Sequence, residues 1–71
     1  MHEMNRPITP REKQILLQIC QGQTAKEIGQ TLGIAQSTVE SYKQNLLIKF
    51  DAKNSVDLAL KAERYGYLKP K

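Results

Sequence analysis

Cysteine and histidine are nearly absent from this chain of 71 residues, which has one of each, and that scarcity removes whole classes of chemistry. Cys20 has no partner for an internal disulfide, and His2 beside it does not make a zinc-type ligand set. There is no His or Cys dyad for nucleophilic catalysis. No acid/base pair or phosphate-binding loop stands out either, so the chain does not read as an enzyme and calls for no cofactor, metal or small-molecule ligand. Long apolar runs are also missing. Nothing here can span a bilayer, and the N-terminus has neither a signal-peptide core nor a lipidation motif, so the expected location is the cytoplasm with no membrane partner. Repeats and low-complexity segments are absent as well. A single small domain of this length, without a covalent staple, must draw its stability from helix packing.

What is present is a set of helix start and stop signals. Thr9, Pro10 and Glu12 supply a cap, a proline where its missing amide does no harm, and a carboxylate that can reach back to the cap. Ile15, Leu16 and Ile19 then form a buried stripe that Cys20 joins as a small hydrophobe, and Gly22 ends the segment. Thr24 and Glu27 repeat the capping-box spacing, Ile28 and Leu32 share a face, and Gly33 can take the left-handed conformation that stops a helix. Ile34 anchors the turn. From Gln36 to Phe50 no proline or glycine interrupts a longer helix, and after a polar loop Asn54 can cap a fourth. The expected fold is all-α, with helices at about 10–21, 24–32, 36–50 and 55–65. The domain spans 8–68, between a flexible segment 1–7 and a flexible tail 69–71.

Two helices joined by a glycine-pivoted turn across 24–50 form a helix-turn-helix, a motif built to offer one helix to a DNA groove. Winding the third helix at roughly 100° per residue puts Val39, Leu46 and Phe50 on an inner stripe. Ser37, Glu40, Ser41, Gln44 and Ile48 fall on the opposite side. Thr38, Tyr42, Asn45 and Lys49 lie along one flank, and Gln36, Lys43 and Leu47 along the other. Short polar groups facing outward suit hydrogen bonds to base edges, with hydroxyl and ammonium groups beside them for phosphates. The plain alternative, a solvated helix face, is outweighed by the paired short helix and its glycine turn. Ile48 has two readings: contact with a thymine methyl, or packing under the fourth helix. The net charge of +4 favours a polyanionic partner only mildly, because just Lys26, Lys43 and Lys49 fall within 24–50.

The fourth helix carries two apolar stripes where an edge helix needs one. Val56, Ala59 and Leu60 cluster on one side, with Tyr67 if the helix extends that far, and Leu58, Ala62 and Tyr65 on the other. The Val56 and Leu60 stripe is the candidate dimer contact, since symmetric dimers commonly read two half-sites. The alternative is that one subunit partly buries both.

Ile8-Thr9-Pro10-Arg11-Glu12-Lys13, Gly22, Ala25-Lys26-Glu27-Ile28, Leu32-Gly33-Ile34, Thr38-Val39-Glu40, Asn45-Leu46 and Lys49-Phe50 together resemble the LuxR/GerE-type DNA-binding domain over nearly the whole chain. The resemblance implies four helices, the third entering the major groove and the fourth mediating dimerisation, in a bacterial transcription regulator. Such a domain is commonly the output half of a response regulator or of a ligand-sensing activator. Its partners would be double-stranded DNA, a second copy on that DNA, and RNA polymerase as a further candidate. Base-reading positions carried over from the family fall at Glu40, Ser41 and Gln44, beside the outward Ser37. Lys26, Thr38, Tyr42 and Lys49 match backbone-contacting or supporting positions, and Lys43 lies alongside them.

Four residues depart from the family pattern. Ala35 stands where the family usually caps the third helix with Ser or Thr, which suggests a later start with Ser37 and Glu40 as a substitute capping box. Glu40 stands where many members have Lys, although glutamate is also familiar there; it would repel phosphates and could only accept from a base such as cytosine. Tyr42 replaces a frequent His, and Asp51 a frequent Gly. The opening and the helix-turn-helix are also similar to sigma-factor region four, against which the extra helix from Val56 to Tyr65 argues. A protein-interaction module that kept the fold without DNA affinity is the reading from another class.

Overall fold

Each helix forms where the local chemistry provides for its ends. In the computed structural model, which describes residues 8–67, the elements are α1 (Pro10–Cys20), α2 (Ala25–Leu32), α3 (Gln36–Phe50) and α4 (Ser55–Arg64). The expected bounds hold to within one residue at each end. The segment 1–7 with His2, Leu68 and the tail 69–71 lie outside the described residues. Both capping boxes close. Thr9 N donates to Glu12 Oε1 at 2.9 Å and Thr24 N to Glu27 Oε1 at 2.9 Å, while the two hydroxyls accept the returning amides. Gly33 takes φ 73° and ends α2, with its amide on Gly29 O at 2.8 Å.

Helix α3 departs from expectation at its start. It begins at Gln36 with Ala35 as an N-cap that makes no side-chain hydrogen bond, so no Ser37/Glu40 capping box forms. The carboxylate of Glu40 instead accepts from Gln36 Nε2 at 3.1 Å. Tertiary packing fixes this start where the cap does not, through the close approach of Gly29 to the turn. A Cβ on Gly29 would lie 2.7 Å from Ile34 O, a backbone atom with little room to yield. The far end of α3 is closed by Asp51, which adopts the left-handed conformation at φ 54° that its common glycine counterpart takes freely. Lys61 Nζ donates to the Asp51 carbonyl and holds this corner against α4.

The core sits among all four helices: Ile15, Leu16 and Ile19 from α1, Ile28 from α2, Val39, Leu46 and Phe50 from α3, and Leu58 and Ala62 from α4. Phe50 is the largest fully buried side chain. The rings of Tyr65 and Tyr67 meet it at centroid distances of 5.7 and 5.6 Å, within the range of favourable tilted and edge contacts. Tyr67 thus belongs to the core and not to the Val56 stripe, because α4 stops at Arg64. Gly66 at φ 89° then turns the chain back, and the Tyr67 amide reaches Ala62 O at 2.9 Å. Cys20 is half-buried against the same cluster, and burial raises the pKa of its thiol.

One polar contact ties the first helix to the end of the third. Glu12, only 5% exposed, accepts from Lys49 Nζ at 2.8 Å with the same Oε1 that closes the capping box. Burial pushes its pKa up, but hydrogen bonds from Lys49 and Thr9 outweigh that, and the net shift is below the ordinary 4.5. In the interval below 4.5 the unfolded chain binds the proton and the folded one does not, so acid favours unfolding there. The stability from Glu12 is therefore complete above that value and is lost as pH falls through the folded value. Thermal melts from pH 7 to pH 3 should show Glu12→Gln with a shallower acid loss than wild type; equal slopes would remove Glu12 as a source of acid sensitivity. Gly29→Ala should lower stability by about 1–3 kcal/mol despite alanine's better helix propensity, read by urea unfolding, because the added methyl meets a backbone oxygen.

Candidate nucleic-acid interface

The rotation of α3 about its own axis decides which side chains face water. With Val39, Leu46 and Phe50 fully or almost fully buried, the opposite side must be bare, and Ser37, Glu40, Ser41 and Gln44 are all exposed. Ile48 continues that side at 61% exposed, which settles its two readings against packing under α4. A rigid helix thus presents two hydroxyls, a carboxylate and an amide in one row, ending in a methyl-rich side chain. These are the groups that can read donors, acceptors and thymine methyls on base edges.

The flanking residues divide. Thr38 is exposed on α3 and Lys26 on the first turn of α2, while Lys43 is half-buried on the opposite flank. Tyr42 is half-buried and packs its ring against the core, as a supporting residue does. Lys49 is placed differently from the others: its ammonium is held by Glu12, and its side chain is 18% exposed. One of its three N–H donors goes to Glu12, so Lys49 ties α3 to α1 as well as lying on the flank where a phosphate contact is expected of it.

The fold adds residues that the sequence reading left in a loop. An open concavity beside α3 is lined by Ser37, Glu40, Ser41, Lys43 and Gln44 on one wall, and by Lys53, Asn54 and Ser55 at the start of α4 on the other. Lys53 is exposed, so two ammonium groups flank the polar row. Asn54 Oδ1 accepts from Asp57 N at 2.8 Å and caps α4, and Asp57 Oδ2 accepts from Lys53 N at 3.0 Å, which fixes the loop. The amide of Lys53, and then Lys61, hold the half-buried Asp57 carboxyl below its ordinary pKa. In the sequence the only signal for Lys53 was its charge, since nothing local brings a residue three positions past the end of α3 alongside Ser41.

A second surface lies on α4. Leu58 and Ala62 are fully buried, whereas Val56 is 71% and Leu60 58% exposed, so one subunit does not bury both stripes. Ala59, Ile19 and Cys20 border the same apolar hollow. Among the described residues no group of three or more His, Cys, Asp or Glu side chains is placed to hold a metal ion, and no helix is long and apolar enough to cross a membrane.

Known proteins show the same segment. The family model described as bacterial regulatory proteins, luxR family (GerE), matches residues 6–62. The transcriptional regulatory protein DesR of Bacillus subtilis is 35% identical over 63 residues, covering 89% of this chain and 32% of that protein. The transcriptional activator protein SolR of Ralstonia solanacearum is 39% identical over 66 residues, 93% of this chain and 28% of its own length. The transcriptional regulatory protein UhpA of Salmonella typhimurium is 42% identical over 53 residues, 75% of this chain and 27% of its own. The chain therefore spans about a third or less of the length of these curated relatives. No solved structure matches it significantly. With α1 to α3, most of α4, both capping boxes and the glycine turn falling inside the matched region, the chain belongs to the luxR family of bacterial regulatory proteins.

Proposed function

We propose that this chain is a sequence-specific DNA-binding domain of a transcription regulator, acting in the bacterial cytoplasm by placing α3 in the major groove. The observation that carries the reading is the bare polar row Ser37, Glu40, Ser41 and Gln44, directly opposite the buried stripe of the same helix. In this reading those four residues meet base edges. Lys26, Thr38, Tyr42 and Lys43 contact or support the phosphate backbone, and Lys53 joins them from the wall of the concavity. The net charge is modest, so specificity rests on the row and affinity on few phosphate contacts. The names of its relatives, a transcriptional activator and transcriptional regulatory proteins, support the regulatory role. In a longer regulator this segment would serve as the output half, and at a promoter it would stand where RNA polymerase can touch it.

Two copies would bind together through α4. The exposed pair Val56 and Leu60, on a helix whose other stripe is already buried, supports this part of the reading, because an isologous contact covers the same apolar patch on both partners. Each α3 would then read one half-site.

Titration of duplexes should separate the two kinds of contact. Gln44→Ala should relax discrimination at one base pair by roughly 1–3 kcal/mol, while Lys43→Ala and Lys53→Ala weaken all sequences alike and each lower the salt slope by about 1. Absence of any binding to mixed-sequence duplex at low salt would sink the DNA reading and favour a protein-interaction module. For the α4 contact, sedimentation of the DNA-bound form should give two copies per duplex in wild type and fewer for Leu60→Glu; equal stoichiometry would rule out this face as the contact.

A further inference from the structure

Among the described residues, a hydrogen bond joins Gln36 on the flank of α3 to Glu40 in its outward row, and neither side chain caps the helix. Both residues are exposed, and the helix starts without a side-chain cap, so neither side chain stabilises the first turn by capping. A free glutamate on a helix surface samples several rotamers, and fixing it before binding removes an entropy cost at the moment of contact. Gln36 Nε2 donates to Oε2 of Glu40 at 3.1 Å, one turn along the same helix. That bond uses one carboxylate oxygen, and the other oxygen of this exposed side chain can accept from a second donor.

A carboxylate can only accept, and it carries a full negative charge. In the major groove guanine shows two acceptors, thymine an acceptor and a methyl, and adenine an acceptor beside its amino group. Cytosine alone shows an amino donor with no acceptor at its side. We infer that Gln36 is a positioning residue which holds Glu40 to select a cytosine at one position of each half-site. This inference rests on the DNA-binding reading above and adds to it the identity of one base and a residue, Gln36, that touches no base itself.

The test is selection of bound duplexes from a random pool, followed by titration of the preferred duplex and of its variants at the Glu40 position. Wild type should select cytosine there. Glu40→Gln should exchange it for adenine, since an amide pairs with an adjacent donor and acceptor. Gln36→Met keeps length and removes the donor; it should reduce preference for cytosine by about tenfold while binding to mixed-sequence duplex stays unchanged. Gln36→Lys, which restores a donor to the carboxylate, should recover the preference. A wild-type site without cytosine, or one whose cytosine survives in Glu40→Gln, overturns the assignment of Glu40. Full cytosine preference in Gln36→Met overturns the positioning role. Failure of wild type to bind any duplex is distinguishable from both, because it defeats the underlying DNA reading. All these positions are exposed, so circular dichroism should show unchanged folding in every variant.

Discussion

Burial of a single stripe on α3 is the constraint on which the rest of the molecule depends. Val39, Leu46 and Phe50 are taken fully or almost fully from water by residues of the other three helices, and burying each such side chain contributes on the order of 1.5–3 kcal/mol. A domain this small cannot forgo any of them. The helix therefore has one rotational setting, and that setting leaves Ser37, Glu40, Ser41 and Gln44 outside. The proposed binding surface is thus a by-product of the core: its residues are exposed, contribute little to folding, and can vary without disturbing the scaffold.

Around that stripe the structure uses backbone proximity as much as apolar area. Gly29 lets α2 lie so close to the following turn that any side chain there would collide with Ile34 O. This contact supplies the angle between α2 and α3 that an N-cap would otherwise help to define, and it explains how α3 can begin on Ala35 without penalty to its register. At the other end Asp51 occupies a backbone region that favours glycine, and Lys61 secures its carbonyl. Both ends of α3 are therefore held by neighbours rather than by its own terminal residues.

Much of this was legible in the residues themselves, where the relevant physics is local. The caps at Thr9, Thr24 and Asn54, the stop at Gly33 and the inner stripe of α3 depend on neighbours within a few positions, and they appear where the spacing predicts. The α4 stripes were separable by period but not by role, because only the packed fold distinguishes the buried Leu58 from the bare Leu60. What stayed hidden was nonlocal. The bond from Lys49 to Glu12 spans 37 positions, and neither residue alone signals it, since Glu12 already has a complete role in its capping box. Lys53 enters the concavity only because α4 folds back along α3. The need for glycine at position 29 comes from the approach of Ile34 O, which the helix signals around it do not show.

The Glu12–Lys49 pair gives the domain a bolt that dissolved ions reach poorly. Its two side chains are only 7% and 18% exposed, so counterions screen it far less than they screen charges at the open face of α3. In the proposed DNA-binding role, raising ionic strength would loosen contacts to the polyanion while the posture of α3 relative to α1 stays put. In that role release and collapse would be decoupled, with the proposed partner leaving while the fold stays together.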